Sequence, residues 1–420
     1  MSRTCFINAN LLDGQAAARA GASVLVEDDR ILAVGQVSAG ADDRIVDLGG
    51  RTLMPGMVSG HFHAAYRNEG DGKGPTGAKN PPIYTGYMAM VAAQKALAAG
   101  FTGVVGAGGS FDIDASLSRA IEDGLVKGPR MVPCSRELVT SADNGSGVGW
   151  WLDAANGCAA VRACDGPEEF RRAVRTEIAH GAKMIKVFVT GGHAVLQPWG
   201  AEIVTRQELE AVVDAAHDRG ARVRVHVTSK ARILHAVQCG VDVLDHADEM
   251  DEECIEAIAK AGTFVLPSVY LLTRFLELYT KEPPEEGRTG EARALRNMQA
   301  MLPKAVKAGV RLCVGDDFGV VHIPHGDYAK ELAAYVERAG IEPLEVIRWA
   351  TRNGGALMGR DDLGLIGPGM LADLVVVNGD PSRDIRVLDE PANILAVIKG
   401  GQVEHGSLES CARAGARRVA

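Results

Sequence analysis

From about Leu53 to Leu357 the chain repeats one pattern, a short apolar segment followed by an amphipathic stretch of helical period. The strands this pattern predicts are Leu53–His61, Thr102–Val105, Arg130–Cys134, Met184–Val189, Arg222–Val227, Val241–His246, Thr263–Pro267 and Arg311–Gly315. Helices are predicted over Pro167–His180, Thr205–Arg219, Lys230–Cys239, Asp251–Ala261, Ala292–Ala308 and Pro343–Leu357. Thr205 and Glu208 stand at the spacing of a capping box. Eight strands alternating with helices over about 300 residues suit a (β/α)8 barrel. A doubly wound open sheet alternates in the same way. However, no GxGxxG follows the first strand, and Gly106-Ala107-Gly108-Gly109 lacks a helix-opening context.

Both ends of the chain read differently. Short strands are predicted at Thr4–Leu12, Ala22–Glu27, Ile31–Val34 and Arg44–Leu48, and again at Asp373–Val377, Ile394–Lys399 and Gln402–Glu404, with no long helix between the later ones. An apolar share of 46% in 420 residues excludes a disordered chain. With 45 Lys+Arg against 54 Asp+Glu, the net charge of −9 argues against nucleic acid or an anionic membrane as partner. The longest uncharged run, Ala96–Phe111, has 16 residues and is too short to span a bilayer. The eight cysteines contain no CxxC pair and several lie in apolar runs, which suits reduced thiols in a cytoplasmic protein.

The chemistry sits at the predicted strand ends. His61 and His63 are two residues apart, so both imidazoles project from one side of an extended segment. They follow Pro55-Gly56-Met57-Val58 at the C-terminal end of the first strand, the end at which barrel active sites lie. His226 stands at the end of the fifth strand, His246 closes the sixth, and Asp316 and Asp317 close the eighth. One such histidine alone would be read as a core or surface residue. Together, imidazoles and a carboxylate converging on one mouth form a ligand set for a divalent cation of the zinc kind. Lys186 stands among apolar residues in Met184-Ile185-Lys186-Val187-Phe188-Val189. The bland reading is a snorkelling lysine. The functional reading is a buried neutral amine, since burial penalises the charged form; such an amine reacts with carbon dioxide to give a carbamate able to bridge two cations.

In this order and spacing, His61-Phe62-His63, Lys186, His226, His246 and Asp317 resemble the binuclear amidohydrolase superfamily. Gly364-Leu365-Ile366-Gly367-Pro368-Gly369-Met370-Leu371-Ala372-Asp373-Leu374 is similar to that family's return into a small β-domain. Ile185-Lys186 followed by Thr190-Gly191-Gly192, the pair His325-Gly326 and the helix containing Trp349-Ala350-Thr351-Arg352-Asn353 resemble its prolidase-like branch of Xaa-Pro dipeptidases, carboxypeptidases and ochratoxin-type amidases. The branch reads Gly-Thr-Asp-Ala-Gly where this chain has Gly315-Asp316-Asp317-Phe318-Gly319, which assigns the carboxylate to Asp317 and leaves open whether Asp316 shares its role.

The resemblance implies a (β/α)8 barrel over 57–359, a small composite β-sandwich domain made by 1–56 and 360–405, and a tail over 406–420. It implies two divalent cations, zinc in kind, bridged by carboxylated Lys186 and a hydroxide. His61, His63 and Asp317 would hold the more buried cation, and His226 and His246 the other, with Asp317 also the catalytic acid and base. The reaction implied is cleavage of an amide or peptide-type C–N bond in an N-acyl amino acid, a dipeptide or a xenobiotic amide. The same centre could open a lactone or cyclic amide, or deaminate a ring. A non-catalytic scaffold would be expected to lack ligands, and here every position is filled. Substrate contacts are sought in the strand-end loops, at Tyr66, Arg67, Arg136, Trp150, Trp151, His193 and His325, each of which reads at least as well as structural. A small-molecule substrate and a homo-oligomer are expected.

Overall fold

The computed structural model describes residues 3–69, 77, 79–143, 160–193, 198–278 and 290–411. Eight parallel strand positions form a barrel: Met57–Phe62, Phe101–Gly106, Arg130–Val132 continued by Cys134–Val139, Met184–Phe188, Arg222–Val227, Val243–His246, Phe264–Leu266 and Arg311–Leu312. The ring closes where the Gly60 amide donates to the Val314 carbonyl at 2.7 Å. Helices follow the strands on the outside, among them Pro82–Ala98, Gly166–Ala179, Arg206–His217 and Glu252–Ala261. The Thr205 side chain accepts from the Glu208 amide, and Glu208 reaches back to the Thr205 amide, so the capping box read from sequence is formed. No helix among the described residues is long and apolar enough to cross a membrane.

The structure departs from the sequence reading at three element boundaries. The segment expected as one strand, Leu53–His61, divides at Gly56. Thr52–Pro55 joins a second sheet, while Met57–Phe62 opens the barrel. The Gly56 amide turns to the Asp373 carbonyl, and a Cβ there would lie 2.1 Å from the Thr102 hydroxyl oxygen, so only glycine lets the chain step between sheets. The third strand does not stop at Cys134 but resumes over Cys134–Val139. Pro133 has no N–H to pair, and its carbonyl accepts from Lys183 and from Met184, where the fourth strand begins. The helix expected over Pro343–Leu357 widens into a π-turn at Trp349–Asn353. There the Asn353 side-chain Nδ2 donates to the Leu312 carbonyl, and Gly354 packs on Val58 beneath the barrel.

The second sheet has eight strands drawn from both ends of the chain, five before Gly56 and three after Asp373, so the ends combine in one β unit. Its apolar side, with Phe6, Val24, Val46, Leu53, Leu374 and Ile398, forms a core separate from the barrel's. The segment expected as a tail begins with a short helix, Leu408–Cys411, whose Leu408 and Cys411 are buried in that core. Arg130 of the barrel pairs bidentately with Asp373 of the sheet, at 2.9 and 3.0 Å.

Candidate metal centre

His61 and His63 leave the first strand toward the barrel interior, and their Nε2 atoms lie 3.1 Å apart. Asp317 Oδ1 is 2.9 Å from His61 Nε2 and 3.3 Å from His63 Nε2. This approach depends on Gly315, at φ +137°, where a Cβ would lie 2.2 Å from the His61 amide nitrogen. Any side chain there would push the eighth strand off the first and carry Asp317 with it. His63 Nδ1 is 3.1 Å from the Gly108 carbonyl, which can only accept, so Nδ1 carries the proton and Nε2 keeps its lone pair. Burial lowers the His63 pKa to about 4, against the pull of Asp317. For Asp317 itself burial works upward, but the imidazoles of His61 and His63 outweigh it and hold the carboxyl well below its usual range.

Beneath these three lies a buried charge network. Lys186 Nζ is 2.6 Å from Asp245 Oδ2. The guanidinium of Arg224 grips the same carboxylate through Nε and Nη2, while its Nη1 donates to the Gly60 and Gly106 carbonyls at 2.9 and 2.6 Å. Asp245 Oδ1 also lies 3.4 Å from His61 Nδ1. Burial opposes ionisation of Asp245, but Arg224 and Lys186 overcome it and keep the group a carboxylate. One arginine thereby ties the first, second, fifth and sixth strands directly under the site.

His226 and His246 face each other with ring centroids 4.5 Å apart, and His246 is 5.7 Å from His61. His246 Nδ1 is fixed by the Ser268 hydroxyl at 2.7 Å. Backbone at φ +71° turns His246 inward beside Asp245, although neighbouring residues of a strand point to opposite faces. Burial holds both imidazoles well below the usual histidine range. Neutral imidazoles are the metal-binding form. His226 Nε2 is buried with no hydrogen-bond partner among the described residues.

The donor set fits a divalent cation. Ligand atoms of His61, His63 and Asp317 all lie within 4.8 Å of one another. Two imidazole Nε2 atoms facing each other and a shared carboxylate oxygen are three lone-pair donors around one point, an arrangement that favours a cation among them.

Other residues singled out from sequence fall in different places. Tyr66 stacks on His63 at 4.2 Å with the rings 2° from parallel and donates to Glu137 at 2.6 Å. His193 stacks on His246 at 4.3 Å, its Nε2 2.7 Å from Asp248, and Asp248 raises its pKa against the effect of burial. His325 lies behind the site, its Nε2 donating to the His63 carbonyl at 3.1 Å. Arg67 is exposed on the loop after the first strand. Arg136 does not reach the histidines: it is on a strand rather than in a loop, and its guanidinium pairs with Glu177 of the flanking helix at 2.7 Å. Asp316 accepts from the Leu271 and Asp317 amides, one layer behind Asp317. Trp150 and Trp151 lie outside the described residues.

Sequence reasoning overlooked Arg224, Asp245, Glu137 and Asp248. Arg224 had a usable signal, since it stands two residues before His226 and so shares its face of the strand. Glu137 had none, because only the register of the third strand sets it beside Lys186. Burial raises the Glu137 pKa to about 7, with the Tyr66 hydrogen bond partly opposing.

The profile of the Amidohydrolase family matches residues 52–403. Ochratoxinase of Aspergillus niger is 30% identical over 383 residues, covering 84% of this chain and 76% of that protein. Its crystal structure superposes with a TM-score of 0.82 at 26% identity, over 96% of each chain. A crystal structure of a Xaa-Pro dipeptidase with bound methionine in the active site gives a TM-score of 0.83 at 28% identity, covering 96% of this chain and 100% of that one. The chain therefore belongs to the amidohydrolase family, in its prolidase-like branch, and is a hydrolase acting on carbon–nitrogen bonds.

Proposed function

We propose that this protein cleaves the amide or peptide-type bond of a small molecule, an N-acyl amino acid, a dipeptide or a xenobiotic amide, with the help of two divalent cations of the zinc kind. The observation that carries this reading is the convergence of His61, His63 and Asp317 on one point. Those three residues would hold one cation and His226 and His246 the other, with Lys186, carboxylated, between them. When bound, the cations would supply a water of lowered pKa and polarise the scissile carbonyl.

The chain's own residues do the rest. Asp317 takes a proton from the attacking water and returns it to the leaving nitrogen, so that amide and water become acid and amine. Its side chain is 14% exposed where that of His61 is fully buried, which suits a group that meets substrate. Asp245 and Arg224 hold Lys186 and the His61 ring from below. Tyr66 and His193, stacked on His63 and His246, are the substrate-side residues this reading favours, and His325 supports His63 from behind.

The test is metal analysis of the purified protein together with a panel of amides, esters and lactones. About two cations per chain and hydrolysis of an amide are expected. Less than about one cation per chain, with no hydrolysis after addition of cation and bicarbonate, would overturn the reading.

A further inference from the structure

At the end of the barrel where the strands begin, opposite the metal centre, the floor and the β unit border a cavity of about 790 Å³. Arg130 opens the third strand there, Met184 the fourth and Arg222 the fifth. The turn 358–360 and Lys399 of the β unit complete the wall. Five cations line it, Arg130, Lys183, Arg222, Arg360 and Lys399, against one carboxylate, the exposed Glu122, in a chain of net charge −9. Arg130 is matched by Asp373 and Arg360 by Asp362, each at 2.9 Å. Lys183, Arg222 and Lys399 form no ion pair among the described residues. Arg222 donates to the Leu357 carbonyl and Lys399 to the Gly128 carbonyl, each at 2.6 Å, which satisfies N–H groups and leaves the charges unmatched. Burial lowers the Lys399 pKa against the pull of Glu404, and the charge of Arg130 lowers it further. Glu404 itself pairs with Lys127 at 3.3 Å.

We infer that this cavity binds a small organic phosphate, a monoester with an apolar body. The volume is that of a small-molecule site and exceeds what a lone ion fills. Three unmatched cations on three separate elements call for more than one negative charge. A phosphate monoester carries about 1.5 to 2 at neutral pH and offers three terminal oxygens, whereas a carboxylate brings one charge. The planar fork of Arg222 fits two phosphate oxygens, and the lysine ammonium groups act as point charges beside it. Met131, Val132 and Met358 supply an apolar wall for the body of the ester. The site lies at the far end of the strands from His61 and Asp317, so the inference does not rest on the chemistry proposed for the metal centre.

Titration of phenyl phosphate into the metal-loaded full chain, with methionine methyl groups isotopically labelled for NMR, tests it. Met131 and Met358 report on this cavity and stand away from the metal centre. Their signals, assigned with Met131→Leu and Met358→Leu, should shift saturably with a dissociation constant below about 1 mM. Lys183 is exposed, so Lys183→Glu should fold normally and weaken binding at least about tenfold. Lys399→Gln, checked for folding by circular dichroism, should weaken it in the same direction. Phenylacetate, which has a ring and a single charge, should bind at least about tenfold less tightly than phenyl phosphate. Signals of Met131 and Met358 that stay still up to about 10 mM phenyl phosphate overturn the inference, even if the ester binds at the metal centre. Equal affinity of Lys183→Glu and the wild type, or of phenylacetate and phenyl phosphate, overturns it as well.

Discussion

At the scale of single residues, the site rests on a few side chains with separable tasks. Asp317→Asn keeps the shape and removes the proposed proton acceptor. Turnover should fall below about one part in a hundred while most of the bound metal remains, and near-normal turnover with full metal would rule out the acid–base role. Lys186→Ala should lose metal and be partly rescued by short carboxylic acids, because an added carboxylate can stand where the carbamate would; a variant with both cations and full activity would remove the carbamate from the proposal. Arg224→Met leaves the Asp245 carboxylate in a dry site without its guanidinium partner. Breaking a buried ion pair at one end costs about 3–5 kcal/mol, so urea unfolding should show a loss of that order. These tasks were legible unevenly. His61, His63, His226 and His246 stand at predicted strand ends and could be found from spacing, while the choice of Asp317 over Asp316 came from the resemblance. Arg224 and Asp245 are buried ions whose meaning depends on each other, and they come together only when the fifth and sixth strands pair in register.

Secondary-structure elements carry their own tests. The step at Gly56 is a steric requirement: a Cβ would meet Thr102 Oγ1 at 2.1 Å and Cγ2 at 2.5 Å. Gly56→Ala should therefore cost about 1–3 kcal/mol through overpacking, and adding Thr102→Ala should recover part of it, because the two closest atoms are removed. A cycle with no recovery would place the strain elsewhere. The helix Gly166–Ala179 and the capped helix after Thr205 appear within a residue or two of the positions read from sequence, because caps and amphipathic period are local properties. The third strand and the π-turn at Trp349–Asn353 were not readable in the same way. Pro133 ends one pairing and begins another, and the widened turn follows from how Asn353 and Gly354 meet the barrel floor, neither of which is encoded nearby.

For the whole molecule, stability should respond to pH and to metal. Glu331 is buried behind the eighth strand, accepting from the Gly315 amide at 2.6 Å, and burial raises its pKa to about 8 from an ordinary value of 4.5. Between those two values the unfolded chain has lost this proton and the folded chain still holds it, so stability contributed at low pH is lost as pH rises toward 8. Denaturant midpoints measured from pH 6 to 8.5 should fall more steeply for the wild type than for Glu331→Gln; parallel slopes would show that Glu331 does not carry this dependence. Cations that bind only the folded barrel add stability by mass action. Chelation should accordingly lower the melting temperature of the wild type, and do so much less in Lys186→Ala.

The sequence alone determined the alternation of strands and helices and set the candidate ligands at strand ends, because both follow from periods of two and of 3.6 that local chemistry sets. It also pointed to the family through the order of those ligands. Only the tertiary structure decided how the ligands converge, which residues lie beneath them and which cations gather at the other end of the strands. Those outcomes depend on closure of the ring between Gly60 and Val314, on strand register, and on buried charges that are stable only in one another's company. Arg136 shows the difference: its position near a strand end made it a candidate, and a partner forty-one residues away, Glu177, took it out of the site.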